Sequence, residues 1–454
     1  MKRRDGIAAA LGVAATLMLP APSACAQGVH GRETADGRTM PSDHAMWRLD
    51  LGGGWHALGM AQAFPVLTIG APGEEGSALR ETEAYLTQAA LMTDVASAGA
   101  RWVLRTTLNF EGLTQEDGEL TFGGWGEGFI DRRHPHTLLH EAVLSFNVWK
   151  ADGGLSLSAG KGFAPFGTDD PMGRPGLKYP TNHHLSQILE RWLLSGAVLR
   201  DGVSVEAAVF GGAEPEGPYD FGNIDSFGDS WSARVAKRWG ARDGRAPRWE
   251  ASASVGSVEE EIEGTPARTR LWNAALRHEG AVADVPAYGL LEASLGDPED
   301  GERRFSVLVE GQLEVGRHRP YARVEHARRP EFPREGSPAE AGFFRYDHDA
   351  RPIGTTRWWI VTAGYGFDAT SLPISLRPFL DVQHHSVRAD RGSIDPGDLF
   401  GTRSFWSVSA GARIFLGGGS MRMGAYGVLD PMVAGHGGEA MEMPEMGEDM
   451  GGPR

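Results

Sequence analysis

Arg101-Trp102-Val103-Leu104-Arg105-Thr106-Thr107-Leu108-Asn109-Phe110 reads with a period of two. Trp102, Leu104, Thr106, Leu108 and Phe110 fall on one face, and Arg101, Arg105, Thr107 and Asn109 on the other. Side chains two apart share a face only in an extended strand. The same pattern recurs on both sides of this stretch. Val203, Val205, Ala207 and Val209 alternate with Ser204 and Glu206, and Trp249, Ala251, Ala253 and Val255 with Glu250, Ser252 and Ser254. Phe305, Val307, Val309, Leu313 and Val315 alternate with Ser306, Glu310, Gln312 and Glu314, and Trp406, Val408, Ala410 and Ala412 with Ser407, Ser409 and Arg413.

A soluble sandwich also alternates. Three features favour a closed membrane barrel instead. Charge recurs on the polar face of nearly every run, as a watery lumen permits. The apolar faces use Ala, Val and Leu without charge, and a bilayer offers no water to an open sheet edge. Trp recurs near the run ends, at Trp102, Trp149, Trp192, Trp231, Trp239, Trp249, Trp358 and Trp406, where amphipathic rings meet the two membrane–water interfaces. The expected fold is all-β, a transmembrane antiparallel barrel of roughly 16 strands, within a range of about 14–18. The runs are 46–60, 83–96, 99–110, 137–149, 154–164, 190–200, 202–211, 229–239, 247–257, 267–279, 286–295, 304–316, 318–328, 355–367, 373–385, 403–416 and 420–429. That is one too many for a sixteen-strand barrel, with 286–295 the weakest pattern. The longest connections expected are 61–82, 111–136, 165–189, 329–354 and 386–402.

The flanks set the compartment. Lys2-Arg3-Arg4, an apolar run from Ile7 to Leu19 and Ala24-Cys25-Ala26 form a secretory signal, with cleavage expected after Ala26. Pro22 stands where a lipobox needs an aliphatic residue before Cys25. Cys25 is the single cysteine, which removes disulfides and thiolate sites from the exported chain. The expected organisation is a signal peptide at 1–26, a flexible lead at 27–45, the barrel at 46–430 and a disordered tail at 431–454. The tail carries Met432, Met441, Met443, Met446 and Met450 among Gly, Glu and Asp, with His436. It reads as a solvated acidic terminus, or as thioethers for weak capture of Cu(I). The formal charge of −16 argues against nucleic acid as a partner. The expected partners are outer-membrane lipid and lipopolysaccharide, the barrel-assembly machinery, small solutes and further copies of the chain.

His, Arg and carboxylates crowd between Ile130 and Trp192. The constriction candidates are Asp131, Arg132, Arg133, His134, His136, His140, Glu141, Asp169, Asp170, Arg174, His183, His184, Glu190 and Arg191. A polar segment sits at membrane depth only where it lines a cavity. Three readings fit: a hydrogen-bonded cluster bracing a loop inside the pore, a divalent metal site on His134, His136, His183 and His184, or a site for an anion or another solute. Arg101, Arg105, Arg234, Arg238, Arg319, Arg323, Arg377 and Arg413 fall on inferred inward faces, as do Glu206, Glu250 and Glu310. Mixed signs on neighbouring strands point to cross-strand ion pairs; arginine clusters also draw anions. No Gly-x-Ser-x-Gly elbow or helical zinc motif appears, and no enzyme activity or required cofactor is expected.

Gly160-Lys161-Gly162-Phe163-Ala164-Pro165-Phe166-Gly167 resembles the strand-end turn of bacterial phosphate-selective O/P porins. Lysine is scarce on the inferred inward faces. Ile130 to His136, the His183-His184 pair and Asp229-Ser230-Trp231-Ser232-Ala233-Arg234 are similar to a group of uncharacterised outer-membrane proteins. That group carries an Asp-Arg-x-His-Pro-His stretch. Both resemblances imply an outer-membrane barrel. The expected function is a porin-like channel for small hydrophilic solutes or ions. The alternative is a non-conducting outer-membrane protein that binds Cu or Zn through the His cluster and the Met-rich tail.

Overall fold

The computed structural model describes residues 47–71, 82–113, 137–150, 153–168, 173–174, 183–215, 219–222, 224–240, 249–262, 265–283, 285–299, 301–331, 354–369, 374–392, 395–396, 402–416 and 423–430. The strands are β1 (Trp47–Gly52), β2 (Trp55–Ala71), β3 (Thr82–Ala96), β4 (Trp102–Asn109), β5 (Leu139–Lys150), β6 (Gly153–Gly162), β7 (Arg191–Arg200), β8 (Val203–Phe210) and β9 (Ser230–Trp239). They continue as β10 (Trp249–Ile262), β11 (Thr265–Val282), β12 (Val285–Pro298), β13 (Arg304–Leu313), β14 (His318–Glu331), β15 (Gly354–Phe367), β16 (Ser375–Gly392) and β17 (Ser404–Leu416).

From β2 to β17 each strand pairs antiparallel with the next, and β17 returns to β2 from Trp406↔Ala71 to Leu416↔Ala61. That pairing closes a barrel of sixteen strands. The short β1 pairs with β2 from Trp47↔Gly59 to Gly52↔Trp55, just beyond the end of β17. It continues the line of the last strand and covers the part of the β2 edge that β17 leaves bare. In a bilayer that edge has no other source of hydrogen bonds.

Two of the expected runs are corrected. The run 46–60 is a hairpin, because the turn at Gly52-Gly53-Gly54 divides it into β1 and the start of β2. The described part of the run 420–429, from Met423 on, is not a strand. It ends in a 3-10 turn at Gly427–Leu429 that lies against the inner wall. The weak run 286–295 is a full strand, β12.

The two faces are inverted relative to a soluble protein. Outward positions such as Leu104, Leu144, Leu157, Val205, Val309 and Val408 are exposed. Inward positions such as Thr107, Ser145, Glu292, Asp381 and Ser407 are buried and polar. An apolar wall suits lipid, and a polar bore suits water. Among the outer Trp side chains, Trp102, Trp239 and Trp249 lie at one end and Trp231 and Trp406 at the other, while exposed Trp272 sits mid-strand on β11. Trp149 and Trp358 depart from the girdle expectation. Trp358 is fully buried inside, with the Arg329 guanidinium 4.9 Å over its ring, and Trp149 packs on Leu429 and its neighbours.

Connections at the ends of the odd strands are mostly short, down to two residues at 53–54, 151–152, 201–202 and 283–284. Those after the even strands include 110–138, 163–190, 211–229 and 332–353. Short turns face the periplasm in outer-membrane barrels and long loops face outward, which orients the molecule.

Candidate functional site: a lumen crossed by the β6–β7 segment

After Gly162 the chain leaves the wall and turns into the bore. Its two arms bond to each other, Ala164 N to Ile188 O at 3.0 Å. Phe166, Leu185 and Ile188 are buried in one apolar cluster with Leu193, Val258 and Leu271 of the wall. The single-turn helix α1 (His183–Ser186) rests on β11, β12 and β13, on the far side of the barrel from β6. The segment therefore spans the lumen, and apolar packing holds it there.

Polar contacts fix its tip. Gly167 N donates to Ser254 Oγ on β10 (2.9 Å), and Thr168 Oγ1 donates to Glu292 Oε1 on β12 (2.9 Å). Arg174 Nη2 donates to Thr168 Oγ1 at 2.7 Å and to Glu292 Oε2 at 3.2 Å, and Nη1 lies 4.0 Å from Glu310. Asn273 Nδ2 completes the shell of Glu292 at 2.9 Å. Both charges of the Arg174–Glu292 pair are buried.

The roots of the segment are braced by the acid–base cluster. Glu190 accepts Thr137 N at 3.1 Å and pairs with His140 Nδ1. The His140 ring stands edge-on to Phe163, with centroids 5.0 Å apart. Lys161 Nζ donates to Thr137 Oγ1 at 2.8 Å. Arg191 bonds Leu189 O (3.0 Å) and Glu214 (2.8 Å), and His184 Nδ1 lies 3.4 Å from the same Glu214. Glu141 accepts from Thr107 and from Tyr426, each at 2.7 Å. His140, Glu190 and Arg191 are thus buried and held in polar contacts at the roots of the segment. His183 and His184 have rings 5.1 Å apart. Among the described residues no three His, Asp or Glu side chains converge on a metal position. Asp131, Arg132, Arg133, His134, His136, Asp169 and Asp170 lie outside the described residues.

Most lumen charges pair across strands. Glu206 faces Arg234 in register and accepts two bonds of 2.8 Å, and Glu250 faces and pairs with Arg238. Glu310 faces Arg323, at 2.8 Å. Arg105 makes a two-pronged contact with Asp94, at 3.0 and 2.9 Å. Arg319 lies 2.6 Å from Asp368, which also pairs with Arg377. Arg377 sits directly opposite Arg413. The Arg413 guanidinium is 5.1 Å from the Phe64 ring centroid and 5.0 Å from that of Phe415, and its Nη1 donates to Arg174 O at 3.4 Å. Arg319, Arg377 and Arg413 line one pocket with Tyr321.

Arg101 is corrected. It precedes β4 after the turn at Ala98–Ala100, is exposed, and lies 5.3 Å over the ring of Phe146. That ring also packs against exposed Trp102 on the outer face, at 4.8 Å. Extended backbone begins only at Trp102, so the period of two does not reach Arg101.

No family model matches the sequence, and no curated protein matches it. Among solved structures the chain is similar to outer-membrane OmpT of Vibrio cholerae, with 11% identity and a TM-score of 0.47 over 82% of this chain and 100% of that one. It is similar to OprB of Pseudomonas putida, with 10% identity and a TM-score of 0.47 over 80% and 94%. An anion-selective porin from Comamonas acidovorans shows 14% identity and a TM-score of 0.42 over 80% and 99%. Identities and TM-scores this low carry no argument about this chain. What decides the class is the closed sheet with its apolar outside and charged inside. The chain is a β-barrel of the bacterial outer membrane.

Within this barrel the Asp229–Arg234 motif has a plain structural role. Asp229 Oδ1 accepts Gly212 N at 2.9 Å and Ser230 Oγ at 2.7 Å, Ser230 Oγ accepts Glu259 N at 2.9 Å, and Arg234 meets Glu206. Among the lumen residues that escaped the sequence reading are Glu292, Asp94, Tyr426 and Asp430. Glu292 and Asp94 sit on inward positions of their strands, so period two alone locates them. Nothing local marks Tyr426 and Asp430, because their partners are more than two hundred residues away.

Proposed function

We propose that this barrel is a porin-like channel for small hydrophilic solutes or ions. The observation that carries the reading is the β6–β7 segment, folded inward and clamped to β12 through Arg174 and Glu292. Such a crossing narrows a water-filled bore to a defined aperture lined by fixed charges, and fixed charges at a narrow place select what passes. The reading assigns no catalysis to the chain. Lipid and lipopolysaccharide take the apolar belt, the barrel-assembly machinery inserts the chain, and copies associate through the wall. A weak divalent or Cu(I) site on His134, His136, His183, His184 and the Met-rich tail is a separate proposal, which calorimetry with Cu and Zn tests. The channel reading is tested by single-channel recording in planar bilayers under a salt gradient. Discrete steps with a reproducible reversal potential are expected, and a purified, folded protein that gives none overturns it.

A further inference from the structure

After β17 the chain comes back inside the barrel. Met423 packs on Met60, Met92, Phe163 and Leu189. Tyr426 Oη accepts Phe163 N at 2.8 Å and donates to Glu141 Oε1 at 2.7 Å. Burial and the adjoining Glu141 carboxylate hold that phenol well above the usual tyrosine range, so it keeps the proton it donates. Val428 and Leu429 pack on Ala197 and Trp149. Asp430 reaches Arg105 Nη2 at 2.6 Å, and Arg105 Nη1 donates to Ala425 O at 3.1 Å. Gly427 has φ +62, and a Cβ there would stand 2.4 Å from Ser156 Cβ. The turn is thus pressed against the inner wall of β5, β6 and β7.

Its direction is also fixed. Gly424 lies beside Phe163, past the long-connection end of β6, and Val428 beside Gly154, at the short-connection end. Asp430 then meets Arg105, which also pairs with Asp94, close to the short turn between β3 and β4. The segment descends along the wall towards the periplasmic mouth.

We propose that residues 423–430 are a detachable plug, an intrachain latch that narrows this channel by filling the space between β5–β7 and the β6–β7 segment. The proposal rests on the channel reading above. Two features make the turn removable without opening the wall. The barrel closes through β17 and β2, with no part taken by 423–430. The wall partners are satisfied without it: Arg105 keeps Asp94, and Glu141 keeps Thr107. Departure therefore strands no buried charge, which is the usual obstacle to breaking an ion pair. Loops that plug a polar bore are an established way to close a wide barrel.

The test uses the full chain. Gly427→Val forces the turn off Ser156, and Asp430→Asn removes its ionic anchor. Each is expected to raise single-channel conductance severalfold over the parent. A second readout needs no conduction. With Cys25→Ser, the substitution Val428→Cys places a single thiol under the docked turn. A polar maleimide is expected to label it slowly in the parent and fast once Asp430→Asn is added. Asp430→Asn lies outside the wall, so it carries the test should Gly427→Val not fold. Unchanged conductance in both variants overturns the plug, and so does rapid labelling of the thiol in the parent. Silence of every variant in bilayers, with the thiol protected, overturns the channel reading and the plug's role in it together.

Discussion

A guanidinium on a segment folded into a barrel must find its counter-charge on the opposite wall, and Arg174 finds Glu292. The pair is buried, so the useful comparison is between losing one partner and losing the other. Arg174→Met keeps the length of the stem but leaves Glu292 as a buried carboxylate with only the neutral donors Thr168 and Asn273. Stranding one partner of a buried pair costs about 3 kcal/mol or more, and a hydrated bore softens this towards the low end. Glu292→Gln keeps an acceptor for the neutral donors, and Arg174 still has Glu310 nearby at 4.0 Å. Urea unfolding in detergent is expected to show a larger loss for Arg174→Met than for Glu292→Gln. Equal losses would mean that the pair does not hold the segment. Half of this pair was legible in advance. Arg174 stood out in a polar stretch, whereas Glu292 sat in the run with the weakest pattern. Arg101 failed for the opposite reason, since a turn at Ala98–Ala100 shifts where extended backbone begins.

Strands were legible because the bilayer enforces period two along their whole length, and a slip of one residue would put charge into lipid. The same rule misread 420–429. Met421, Met423, Ala425, Val428 and Leu429 are apolar enough for a strand, but Gly424 and Gly427 adopt φ +71 and +62 and turn the chain on itself. Their partners are spread from β2 to β7, which no local pattern can report. The β6–β7 segment was readable as polar and long, but its inward course depends on a close approach. Gly167 has φ +65, and a Cβ there would fall 1.6 Å from Ser186 O. Backbone against backbone leaves nothing that can move aside cheaply. Gly167→Ala is therefore expected to release the segment while the wall persists. Circular dichroism should keep its β signature, proteolysis within 163–190 should accelerate, and single-channel current should become larger and noisier. A variant with parental proteolysis would show that the segment tolerates the shift and that Gly167 is not what seats it.

The formal charge of the whole chain, −16, is a poor guide to what the bore prefers. Charges in bulk solution are screened beyond about 8–10 Å at physiological ionic strength, so an ion inside the channel responds to the nearest lumen groups. Along β8–β10 and β13–β14 these cancel pair by pair, Arg234 with Glu206, Arg238 with Glu250 and Arg323 with Glu310. The cancellation fails near the short-connection ends of β14–β17. Asp368 serves both Arg319 and Arg377, and Arg377 faces Arg413 in register. Three guanidiniums set against Asp368 and the more exposed Glu314, which lies 3.6 Å from Arg319, leave a local positive excess at that mouth. The expected consequence is weak anion preference despite an acidic protein, read as the sign of the reversal potential in a potassium chloride gradient. Arg413→Gln should move the reversal potential towards cation preference, and Asp368→Asn should move it the other way. The paired change Arg234→Gln with Glu206→Gln removes one charge of each sign and should leave it in place. If that neutral exchange shifted selectivity as much as Arg413→Gln, the preference would arise from the shape of the aperture, because the sum of nearby charge would be the same before and after.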